Sequence, residues 1–244
     1  MTIKAARLTV SFILAAFVGS LAGCAGAPDI RHVSKPSESK RQYLGMKKVA
    51  VLPFTNIGGI KGAEEHALSI TVSELNIRGT FELVEDPHYV SSVLKALKIR
   101  KIEDLDLETV QKMGSETGAQ VVMFGDIHAW GLGEGDAAAM QVSITLTLLD
   151  TQTGKPVWIG NGSRRASFTM SRALGLNEGP TDLEVAREVI VDLIKKMDRE
   201  VTDRREAELE RIKSEESAKL QAAAEAEKRR LEEVLQEDDK TESK

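Results

Sequence analysis

Cysteine is all but absent. Cys24 is the only one in 244 residues, so no disulfide framework holds the chain together and the core must do so alone. Aromatic residues make up 4%, which leaves an aliphatic core. The four histidines, His32, His66, His88 and His128, are scattered, with no HExxH and no i, i+4 pair; no metal site and no cofactor are expected. The net charge is -5, and no basic stripe interleaved with aromatics occurs, which argues against a nucleic-acid partner. The apolar run from Leu8 to Val18 is shorter than the roughly 20 residues of a membrane-spanning helix.

That run follows Lys4 and Arg7 and leads into small residues, the build of a secretory signal peptide over residues 1–23. Leu21, Ala22 and Gly23 directly before Cys24 resemble the lipobox of bacterial lipoproteins, in which that cysteine is diacylated and becomes the N-terminus. Cys24 is therefore the expected lipidation site, its acyl chains the expected anchor. Ala25, where aspartate would mark inner-membrane retention in enterobacterial lipoproteins, implies the outer membrane and its periplasmic face. Residues 24–45 are polar, carry Pro28 and Pro36 and show no apolar period; they read as a tether.

The folded part is expected over residues 46–203. Val49 to Phe54 reads as a buried strand, 63–78 as an amphipathic helix with Ala67, Leu68, Thr71, Val72 and Leu75 inward, and Gly79 as its C-terminal glycine. Phe81 to Val84 is a short strand. Asp86 and Pro87 start a second helix, and a third, 107–117, turns Leu107, Val110 and Met113 inward before Gly118. Ala119 to Trp130 is the longest strand signal. Asp150 to Lys155 joins two further strands into a hairpin. On the first, Val142, Ile144, Leu146 and Leu148 alternate with polar residues, so helices should cover one sheet face. The second, from Val157 to Thr169, contains Gly160 and Gly162, which suggest a bulge. Thr181 and Glu184 form a capping box, opening a helix with Ala186, Ile190, Leu193, Met197 and Val201 inward. Residues 204–244 continue as a charged helical extension, a solvated helix or a weak coiled coil, with a frayed end. The fold class is α/β: a mixed, mainly antiparallel sheet flanked by helices, followed by a long charged C-terminal helix.

Candidate chemistry is thin. Asp126 and His128 share a strand face and precede Glu134 and Asp136, but neither a nucleophile nor an orienting third group accompanies them. Gly131, Gly133 and Gly135 lack the following helix of a phosphate cradle. No catalytic residue is expected. Trp130 and Trp158, placed together near one sheet end, and the pair Arg164 and Arg165 are the candidate partner contacts, with Arg172 a further surface cation.

The wording KKVAVLPFTN, RGTFELVED, TGAQVVMFGDI and VSITLTLLDTQTGKPVW, in this order between residues 46 and 200, resembles the periplasmic domain of the CsgG, LpoB and PelC outer-membrane lipoproteins, related to the N-terminal domain of TolB. The resemblance implies a non-enzymatic scaffold or activator of an envelope assembly, export or cell-wall synthesis machine. Its partners would be periplasmic or outer-membrane proteins, through the sheet edge and the C-terminal helix, and it extends to homo-oligomers. The alternative it implies is a ring-forming component of a secretion or polysaccharide-export channel. CsgG builds its barrel from long inserted hairpins; here only 138–170 is long enough, and the domain's own sheet should use it.

Overall fold

A computed structural model describes residues 29–32, 43–99, 102, 105–132, 139–166 and 180–242, with side chains described between 43 and 232. Seven strands form one sheet: β1 (Asp29–His32), β2 (Lys48–Val51), β3 (Thr55–Asn56), β4 (Leu83–Val84), β5 (Val121–Leu132), β6 (Met140–Asp150) and β7 (Pro156–Ala166). The order is β1-β7-β6-β5-β2-β4, with β3 also on β5. The long pairs β5/β6 and β6/β7 and the edge pair β1/β7 are antiparallel, whereas β2 pairs in parallel with β4 and β5, and β3 with β5. The expected fold class holds, long helix included.

Helices begin and end where local chemistry dictates. Helix α1 (Ala63–Arg78) closes at Gly79, whose φ of 65° is left-handed and whose N–H bonds Leu75 O at 3.1 Å. In α2 (Pro87–Ala96) the Asp86 carboxylate accepts from the N–H groups of His88 and Tyr89; these would otherwise lack partners in the first turn. Asp106 does the same for Thr109 ahead of α3 (Leu107–Thr117), and those bonds hold its carboxyl below the usual carboxylate range. Helix α4 (Asp182–Glu242) opens with the expected capping box: Glu184 N–H donates to Thr181 Oγ1, and Thr181 N–H donates to Glu184 Oε2 at 2.7 Å.

The core lies on both sheet faces, which corrects the one-face expectation. One face packs Val49, Met123, Ile127, Val142, Ile144, Leu146 and Leu148 against α1 and against Val189, Ile190, Leu193 and Met197 of α4. Burying each of these side chains stabilises the fold by about 1.5–3 kcal/mol. On the other face Ala50, Leu52 and Val122 meet Val90, Val93 and Leu94 of α2 and Val110 and Met113 of α3. The alternation of β6 misled because this second roof sits over β2 and the start of β5 and leaves Ser143, Thr145 and Thr147 half-buried. Leu107, expected inward, is 51% exposed; as the first residue of α3 it precedes the turn that contacts the sheet.

The glycines of β7 are not bulges. Gly160 pairs with Leu146 and Gly162 with Ile144 in regular register. Their missing side chains make room: a Cβ on Gly160 would stand 2.2 Å from the Trp158 ring, and one on Gly162 2.9 Å from Val189. The irregularities fall elsewhere, at Val157, skipped between the pairs Leu148↔Trp158 and Leu149↔Pro156, and at His128, skipped between Ile127↔Ile144 and Ala129↔Ser143.

The N-terminal reading also changes. Within the stretch read as an unstructured tether, Asp29–His32 pairs with β7, and Tyr43 is buried in the core. Short polar segments at a sheet edge find backbone partners without an apolar pattern, so no periodicity announced β1.

Candidate functional site

Cys24 with Leu21, Ala22 and Gly23 lies outside the described residues, as do Gly133, Glu134, Gly135, Asp136 and Arg172. Trp130 and Trp158 are not neighbours. Trp130 stands opposite Val142 and Trp158 opposite Leu148, positions on β6 roughly 20 Å apart at about 3.3 Å per residue. Both are core residues, 4% and 2% exposed. The Trp130 ring stacks on His66 at 6.5 Å, and its indole N–H donates to Asp182 Oδ2 at 3.1 Å, pinning the start of α4 to β5. The adjacent arginines point to opposite faces: Arg164 pairs with Glu188 of α4, while exposed Arg165 donates to Gln141 Oε1 at 3.1 Å across the strands.

The bulge turns His128 onto the open part of the sheet face that α2 and α3 leave uncovered. Its Nε2 lies 2.9 Å from Thr145 Oγ1, which also accepts from Asn161 Nδ2 at 2.9 Å, and Thr145 stands opposite Asp126. A base and a hydroxyl in reach of one another can exchange a proton. Here, however, the hydroxyl sits mid-strand on a flat face, and its bonds join β5, β6 and β7. Ser143, Thr147, Ser163 and Arg165 extend this polar face. Among the described residues no group of three His, Cys, Asp or Glu could hold a metal ion, and no helix is long and apolar enough to cross a membrane.

A cluster that sequence reading missed lies at the opposite end of the sheet. Glu208, 7% exposed, accepts from the N–H groups of Tyr43 and Leu44, both at 3.0 Å. Arg205 donates to three carbonyls, those of Tyr43 at 3.1 Å, Thr80 at 2.7 Å and Met46. Arg204 donates to the Tyr43 hydroxyl and lies 5.1 Å over its ring, and that hydroxyl in turn donates to Val157 O. Burial pushes the Tyr43 phenol up from its ordinary value, with Arg204 pulling the other way; burial likewise lowers Arg205, against the support of Asp198 and Glu82. This clamp ties the incoming chain, the approach to β4 and α4 together. In the sequence its residues are three charges among many; the signal that singles them out is their long-range partners.

Past the clamp α4 is solvated. Leu209, Leu220 and Leu231 are 42%, 73% and 60% exposed. Their spacing of 11 keeps them on one side of a straight helix, as a stripe only one residue wide.

Residues 67–163, from α1 through most of β7, match the family model of the peptidoglycan-synthase activator LpoB. Over that stretch the chain is LpoB-like. The match bears out the LpoB part of the resemblance, whereas its CsgG and TolB parts rest on the sequence wording alone. Among solved structures the chain is similar to the PelC dodecamer from Paraburkholderia phytofirmans, at 23% identity over 69% of this chain and 95% of that one, with a TM-score of 0.46. It is also similar to lipoprotein GNA1162 from Neisseria meningitidis, at 20% identity over 53% and 91%, TM-score 0.44. A third is the LpoB C-terminal domain from Salmonella enterica, at 17% identity over 48% and 82%, TM-score 0.37. The comparison with curated proteins gives no match. The LpoB-like match ends just before Arg164 and Arg165 and includes neither the clamp's helical half nor the extension.

Proposed function

We propose that this chain is a non-enzymatic lipoprotein, anchored through Cys24 to the outer membrane on its periplasmic face, that activates or scaffolds an envelope machine, in the first place a peptidoglycan synthase. The observation that carries this reading is the LpoB match over residues 67–163. His128, weighed as a catalytic candidate, serves a cross-strand network with Thr145, whereas both tryptophans, the candidate partner contacts, are core residues, which leaves partner contact to other surfaces. A direct test adds a soluble form lacking residues 1–24 to a peptidoglycan synthase of the same organism and follows lipid-linked precursor consumption. A severalfold rise in rate is the expected result; an unchanged rate would reject the activator reading. Native mass spectrometry of the detergent-solubilised, lipidated protein tests the channel alternative, which requires a closed ring of many copies. For the anchor, C24A should abolish fatty-acid labelling and move the protein out of the membrane fraction.

A further inference from the structure

The two ends of the sheet belong to different parts of the chain. β1 runs antiparallel to β7 with Asp29 opposite Ser163 and His32 opposite Gly160, so the chain arrives at the end where β5 and β7 finish. Helix α4 starts at that same end: Asp182 is held by Trp130 and Glu188 by Arg164. It crosses the sheet to the other end, where the clamp fixes Arg205 and Glu208 to Tyr43, Met46 and Thr80. From there the helix continues to Glu242, about 50 Å past the clamp at 1.5 Å per residue. No glycine or proline interrupts it between Asp182 and Glu242, and these are the usual sites of kinks. Pairs such as Arg211 with Glu215 and Lys228 with Glu232, both at 3.9 Å, lie along its solvated length.

Cys24 precedes Asp29 by five residues, and five residues reach at most about 18 Å. A tether free over its whole length would let the domain take any attitude to the membrane. With β1 in the sheet, the attachment point is restricted to the end of the domain opposite the clamp. We infer that the extension of α4 is a rigid spacer directed away from the anchoring membrane. Its distal half then meets partners on the far side of the domain, and its end stands roughly 70 Å from the level at which Asp29 joins the sheet. This inference rests on the lipid anchor at Cys24 proposed above.

The test uses the full lipidated chain in phosphatidylethanolamine and phosphatidylglycerol vesicles carrying an energy-transfer acceptor on a fraction of their headgroups. Because the native cysteine is acylated, L132C, L220C and L231C each give a single donor site: the first at the proposed membrane-facing end, the others along the extension. Transfer is expected to be at least fivefold stronger from residue 132 than from residue 231, with residue 220 between them. Equal transfer from the three sites, or stronger transfer from residue 231, in protein that floats with the vesicles overturns the spacer inference and leaves the anchor standing. Protein that does not float removes the anchor reading and the inference together.

Discussion

Trp158 and Gly160 occupy one face of β7, two residues apart, and the ring of the first fills the space that a side chain on the second would need. An added Cβ at Gly160 would stand 2.2 Å from Trp158 Cη2 and 2.6 Å from Cζ2, and the indole is a core group, 2% exposed. G160A is therefore expected to destabilise the domain by about 1–3 kcal/mol, the usual cost of overpacking a filled core, read as a lower urea midpoint with an unchanged slope. Tyr43 gives a second prediction at this scale. Its phenol titrates above the ordinary 10.0 because burial disfavours the anion. A group whose folded value is raised contributes stability that is fully present below the unfolded value and is lost as the pH rises through the folded one. The urea midpoint of the native protein should thus decline more steeply above pH 10 than that of Y43F, while below pH 9 the difference between the two should be constant. Parallel curves up to pH 11 would contradict this.

Among the elements, those whose signals sit within a few residues were legible in the sequence. Asp86 with Pro87 and Thr181 with Glu184 cap helices through bonds to backbone groups two or three residues away. In the turn after β6, Asp150 bonds the N–H groups of Gln152 and Thr153 while Gly154 takes a φ of 64°. What escaped was set by distant partners. Arg205 and Glu208 find theirs across more than 100 positions, and in a helix dense with Arg and Glu nothing local separates them from solvated neighbours. The tryptophans went wrong for the same reason: their separation depends on the register of both long strand pairs. The clamp also moves the edge of the folded domain. A chain ending after Asp203, the boundary expected from composition, loses the buried carboxylate and the guanidinium that serve Tyr43, Leu44, Met46 and Thr80. It should be less stable by about 2–4 kcal/mol, since buried backbone groups would lose charged partners. A chain ending after Ser214 retains the clamp and should match the full protein within about 0.5 kcal/mol. Equal urea midpoints for the two truncations would show that the clamp is incidental.

For the whole molecule, the consequence of the clamp and the unbroken helix is length. A compact domain of about 160 residues has a radius of gyration near 15 Å, whereas α4 alone is about 90 Å long at its observed extent. Along Leu209 to Glu232 every side chain except that of half-buried Ile212 is exposed. A soluble form lacking residues 1–24 should therefore scatter X-rays as a monomer with a largest dimension of roughly 100 Å, and the form ending at Ser214 should shrink by roughly 40 Å. A melted extension would add less length, because a flexible chain of about 30 residues spans about 30 Å on average against the roughly 40 Å of the helix. A paired one would keep the length and double the mass. The stripe of single leucines 11 residues apart is too thin to bury a seam by itself, so the long monomer is the expected result. Its reach decides what the chain can touch: a rigid spacer extends well beyond the folded domain, and a coil cannot hold that distance.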